Sequence, residues 1–150
     1  FDPAEPRPGL SPKVAVPRTH PVPRPMRFLV VDDSATMRRI IVNSLARIGH
    51  DDVLEAEDGV AALAAFDLGG IQFIITDWNM PQMSGLDLAR RVRAHPTGAS
   101  VPILMVTTRS AREDILAAVD AGVNNYILKP FTPPVLKEKI DAILSVGAAA

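Results

Sequence analysis

Four side chains stand where apolar runs stop, and their types suit chemistry on charged oxygen. Asp32 and Asp33 follow Phe28-Leu29-Val30-Val31, Asp77 follows Phe73-Ile74-Ile75-Thr76, and Lys129 follows Tyr126-Ile127-Leu128. Each run reads as a buried parallel strand. Open α/β sheets bind ligands just beyond the carboxyl ends of their strands. Three carboxylates and one ammonium are therefore expected in one crevice. Clustered carboxylates repel one another, so such a crevice favours a hard divalent cation.

The elements that must position these groups alternate along the chain. Strands are predicted over 27–31, 53–56, 71–76, 101–106 and 123–128. Helices are predicted from a Ser34 cap to about 48, then over 60–68, 86–94, 111–121 and 133–146. Met37, Ile40, Ile41, Leu45 and Ile48 recur at helical spacing in the first of them. Five strand–helix pairs imply right-handed crossovers and a doubly wound, flavodoxin-like α/β fold. Its five parallel strands take the order 2-1-3-4-5, which sets Asp32, Asp33 and Asp77 on neighbouring strands and brings Lys129 from the far side.

Composition removes several classes of function. The chain has 150 residues, enough for one domain, and a formal net charge of −1, so no global field points to nucleic acid or to a membrane. It has no cysteine, hence no disulfide and no thiolate chemistry, which fits a reducing cytoplasm. No apolar stretch approaches the roughly 18 residues of a spanning helix. Residues 1–25 hold eight prolines and read as a flexible linker, with Arg7, Lys13, Arg18 and Arg24 as an alternative anion-binding arm; 26–150 form the domain. The chain opens on Phe1 instead of Met and is expected to be a processed or excised piece. His20, His50 and His95 fall in tail, turn and loop, where metal or catalytic roles are not expected.

Leu29-Val30-Val31-Asp32-Asp33-Ser34, Thr76-Asp77-Trp78-Asn79-Met80-Pro81, Gly85, Thr107, Tyr126 and Lys129-Pro130-Phe131, in this order and spacing, resemble the receiver domains of two-component response regulators. The likeness covers about 27–146 and is greatest to the single-domain chemotaxis type. The resemblance implies that Asp77 accepts a phosphoryl group from a histidine kinase. It implies Mg²⁺ held by Asp33, Asp77 and the backbone carbonyl of Asn79, with Asp32 holding a metal-bound water. Thr107 and Lys129 would contact the phosphoryl oxygens, with Thr108 a rival for the hydroxyl role. Thr107 and Tyr126 would form the switch pair, and Lys129–Pro130 a cis peptide. The output face would be built from the fourth helix, fifth strand and fifth helix, with Arg112, Glu113, Val123, Asn124, Lys137 and Lys139 exposed on it. A flagellar motor switch or another output protein would bind there. Such a domain catalyses only its own phosphorylation and dephosphorylation.

Each residue has a plainer reading: a cap for Asp32 or Asp33, a turn for Asp77, a solvated strand end for Lys129, ordinary packing for Thr107 and Tyr126. Trp78 is expected as a partly exposed loop aromatic, useful as a reporter beside Asp77. Arg109 departs from the chemotaxis pattern, which has an acid there; a cation would modulate the phosphoryl group's lifetime, and it bears on whether a family phosphatase docks. Alternatives within the class are a phosphate sink, a stress-signalling receiver, or a receiver cut from a larger regulator. No DNA-binding helix pair follows 146. A haloacid-dehalogenase-type phosphatase would need Asp-x-Asp on the first strand, which Asp32-Asp33-Ser34 lacks. A second-messenger site at Arg90, Arg91 and Arg93 is disfavoured because helical spacing splays them apart.

Overall fold

The computed structural model describes residues 26–149, with side chains to 145. The linker expected at 1–25 lies outside the described residues. The strands are β1 (Phe28–Val31), β2 (Val53–Ala56), β3 (Phe73–Asp77), β4 (Ile103–Thr107) and β5 (Asn125–Leu128). The helices are α1 (Ala35–Arg47), α2 (Gly59–Asp67), α3 (Gly85–Ala94), α4 (Arg112–Asp120) and α5 (Pro133–Ala149). All strand pairs are parallel, and the order is β2-β1-β3-β4-β5, as the sequence predicts.

Alternation along the strands splits the core in two. Phe28, Val30, Phe73, Ile75, Leu104 and Val106 face one side, where Ile41 and Leu45 of α1 and Leu136 and Ile140 of α5 cover them. Leu29, Val31, Ile74 and Met105 face the other, against Ala62 and Phe66 of α2, Leu88 and Val92 of α3, and Ala118 of α4. Both sheet faces are buried, which is why the central strands read as unbroken apolar runs. Ile40, placed on the apolar stripe of α1 by spacing, is instead 45% exposed. The buried face is set by Ile41, Ser44 and Leu45.

Four strands, all but β2, start one or two residues later than periodicity predicts, and side chains bond main chain at their entrances. Gln72 Oε1 accepts from the Arg27 N–H at 3.1 Å, and Asn124 Oδ1 accepts from the Ile103 N–H at 2.8 Å. Pro102 has no N–H to donate, so the β4 ladder begins at Ile103. Helix starts are capped where small polar residues stand. Ser34 accepts from the Met37 N–H, Asp58 from Ala61 and Ser84 from Asp87. Asp58 as a cap moves the start of α2 to Gly59, ahead of the predicted 60.

Candidate functional site

Register builds the site. Val31 pairs with Thr76, so Asp32 and Asp77 leave adjacent strands side by side. Asp77 pairs with Val106, placing Thr107 one step further along β4, and Thr107 pairs with Leu128, just before Lys129. The predicted quartet converges. Carboxylate oxygens of Asp32, Asp33 and Asp77 lie within 4.8 Å of one another. Lys129 Nζ lies 3.2 Å from Asp77 Oδ1 and 3.6 Å from Asp32 Oδ2. The Lys129–Pro130 bond is cis, as the resemblance implies.

The electrostatics of this nest are unbalanced. Asp32 is 1% exposed, and only one of its oxygens is satisfied, by the Ser34 N–H at 2.8 Å. Its Oδ2 is buried without a hydrogen-bond partner among the described residues. Burial, then the charges of Asp77 and Asp33, push the Asp32 carboxyl above its ordinary 3.8, against the Ser34 hydrogen bond and Lys129. Asp33 is exposed at the rim. One ammonium faces three carboxylates, and a buried acceptor is left unmet. Hard oxygen donors with such an orphan fit a small divalent cation of the Mg²⁺ kind.

The loop after β3 is folded tightly to hold Asp77. The Trp78 N–H donates to Asp77 Oδ1 at 2.8 Å, and the Gly85 N–H to the Trp78 carbonyl at 2.8 Å. The turn between them passes through Gln82 in the left-handed region, φ 70°. A Cβ on Gly85 would collide with the Asp77 carbonyl oxygen, so α3 can start this close only with glycine there.

Other predicted residues are placed as follows. Thr107 is buried and its Oγ1 accepts from the Arg109 N–H at 2.9 Å, whereas Thr108 is exposed. Tyr126 is half-buried and lines a groove with Phe131, Val135 and Lys139; the Lys139 ammonium is 5.4 Å from its ring centre. Asn79 is exposed, and its Oδ1 accepts from Arg109 at 3.1 Å. Trp78, expected to be partly exposed, is 8% exposed and belongs to the core cluster on the α2, α3 and α4 side of the sheet, with the Arg109 guanidinium 4.8 Å from its ring centre. Val123, expected on the output face, is buried at the entrance to β5 among the α4-side core residues. Arg112, Glu113, Asn124 and Lys137 are exposed, and Lys139 is half-buried. Arg90 and Arg91 stay exposed, while Arg93 turns inward to backbone carbonyls of Gly98, Val101 and Gly122, so the three arginines form no common anion site.

Sequence reasoning missed Arg38. From α1 its guanidinium donates to the Asp32 carbonyl at 2.6 Å and to Glu55 of β2 at 3.1 Å, fixing the backbone that carries the acid pair. Its position one turn after the Ser34 cap was the available signal. Asp77 closes β3, not β1, which disagrees with a dehalogenase-type nucleophile.

Among the described residues no helix is long and apolar enough to cross a membrane. The model of the response regulator receiver domain matches residues 28–141. The chain is 55% identical over 124 residues to a chemotaxis protein CheY homolog of Campylobacter jejuni, covering 82% of this chain and 95% of that one. It is 55% identical over 123 residues to chemotaxis protein CheY1 of Helicobacter pylori, covering 81% and 99%. The crystallised chemotaxis response regulator CheY4 of Vibrio cholerae superposes with a TM-score of 0.76 at 32% identity, over 80% of this chain and 99% of that one. The chain therefore belongs to the response regulator receiver domain family, as a chemotaxis response regulator of the CheY type.

Proposed function

We propose that Asp77 is the phosphoacceptor, taking its phosphoryl group from a phosphohistidine of a histidine kinase. The observation that carries this is the orphaned Asp32 Oδ2, past the end of β1, beside Lys129 and the Asp77 that closes β3. One Asp77 oxygen is held by the Trp78 N–H and by Lys129; the second is left to attack phosphorus. A P–O bond forms, the P–N bond breaks with its electron pair going to the ring nitrogen, and that nitrogen takes a proton from solvent as the neutral imidazole leaves.

Asp32, Asp33, Asp77 and the Asn79 carbonyl would hold Mg²⁺, which supplies charge neutralisation for the incoming dianion. Lys129 is already aimed at Asp77 and shares that task as a compact cation. Thr107, buried one step past the register of Asp77, would turn its hydroxyl from the Arg109 N–H toward a phosphoryl oxygen. Tyr126 would then fill the space vacated, changing the α4–β5–α5 face read by an output protein of the flagellar motor switch kind. Such a partner would favour phosphorylation in return, since coupling is reciprocal. Arg109, placed over Trp78, would set how easily water reaches the acyl phosphate; Arg109→Glu should change its lifetime.

Trp78 emission tests the reading. Mg²⁺ should change it in both the parent and Asp77→Asn, and acetyl phosphate should add a further change in the parent alone. A phosphodonor response that survives Asp77→Asn would refute Asp77 as acceptor.

A further inference from the structure

Arg109 makes contacts on two sides of the crevice. Its guanidinium donates to Asn79 Oδ1 at 3.1 Å and lies 4.8 Å from the Trp78 ring centre, both in the loop after Asp77. The same guanidinium lies 3.6 Å from Asp114 Oδ1, on the first turn of α4. That turn is weakly held. Its cap position is Ala111, with no side-chain hydrogen bond to the free N–H groups. Within α4 only Ala118 is buried, while Leu116 and Val119 are more than half exposed. Helices with so little buried surface open at low cost, so one ion pair weighs heavily there.

We propose that Asp114 is a positioning residue for the acid cluster, and that it acts through Arg109. Asp114 draws part of the guanidinium's charge away from the carboxylates. A cation arriving at Asp32, Asp33 and Asp77 repels Arg109 toward Asp114 and tightens the first turn of α4. This is a route from the site to the output side that needs no rotation of Tyr126, although the Arg109 N–H is itself bonded to Thr107 Oγ1. It rests on the reading that the cluster binds Mg²⁺.

The test is a double-mutant cycle on the full chain, titrated with magnesium chloride at constant ionic strength and read as the midpoint of the Trp78 change. Asp114→Asn should weaken Mg²⁺ roughly two- to fivefold, the range that a partly exposed ion pair supports. Arg109→Gln should tighten it, and Asp114→Asn added to Arg109→Gln should shift it little. Amide exchange gives a second readout: Mg²⁺ should slow exchange at Ile115 and Leu116 in the parent and not in Asp114→Asn. An equal shift from Asp114→Asn in both backgrounds, or none in either, would overturn the proposal while leaving the metal site intact. A parent with no Mg²⁺-dependent midpoint would overturn both.

Discussion

Asp32 shows how a single side chain can work against the fold that carries it. Its carboxyl is buried, half-satisfied and pushed above its ordinary 3.8, chiefly by desolvation. A raised carboxyl pKa means the folded chain holds its proton more tightly than the unfolded chain. The penalty is absent below the unfolded pKa and grows as pH rises through the folded one. Asp32→Asn removes the charge and should stabilise the metal-free protein at neutral pH by about 1–3 kcal/mol, the scale of an unmet buried acceptor. Urea unfolding in EDTA, run from pH 4 upward, should show the gap between variant and parent widening with pH. A gap that is constant across the range would contradict the assignment. The quartet was legible because charged residues ending apolar runs have few structural uses. Arg38, Asp114 and the burial of Trp78 were not, since long side chains and loop aromatics find their partners only when separate elements meet.

At the scale of elements, what periodicity reads well is the middle of a strand or helix, and what it misses is the entrance. Gln72, Pro102 and Asn124 look like strand residues in sequence yet end ladders through a side chain or a missing N–H. The same limit hid the clasp made by Arg93. From the last turn of α3 its guanidinium donates to the carbonyls of Gly98, Val101 and Gly122 and to Asn124 Oδ1, at 2.6–3.0 Å. It ties α3 to the entrances of β4 and β5, at the end of the sheet opposite the acids. Arg93→Ala leaves several carbonyls short and should cost about 2–3 kcal/mol in urea unfolding. Arg93→Lys should recover less than half, because one ammonium cannot span the fork. Full recovery by lysine would show that charge, not geometry, holds the clasp. Gly85 matters at the same scale. Gly85→Ala forces α3 away from the Asp77 carbonyl, and should cost about 1–3 kcal/mol as an overpacked contact. Its Trp78 response to acetyl phosphate should be lost more completely than its stability.

For the whole molecule, strand order was legible because alternating elements admit few right-handed topologies, and that order alone brings chain positions 32, 77 and 129 together. The arrangement stores an electrostatic cost at one end of the sheet, with one ammonium opposing three carboxylates. A ligand that binds the folded chain and not the unfolded one stabilises it by RT ln(1 + [L]/Kd), about 1.4 kcal/mol at ten times Kd. For a domain of this size that is a rise of several degrees in Tm. Magnesium chloride should therefore raise Tm well beyond sodium chloride of equal ionic strength, and the excess should grow with the logarithm of concentration. Asp33→Asn, which changes an exposed rim residue and leaves the core untouched, should abolish most of that excess while barely moving Tm in EDTA. If both salts raise Tm alike, the stabilisation is general screening, and the converged acids are not a cation site.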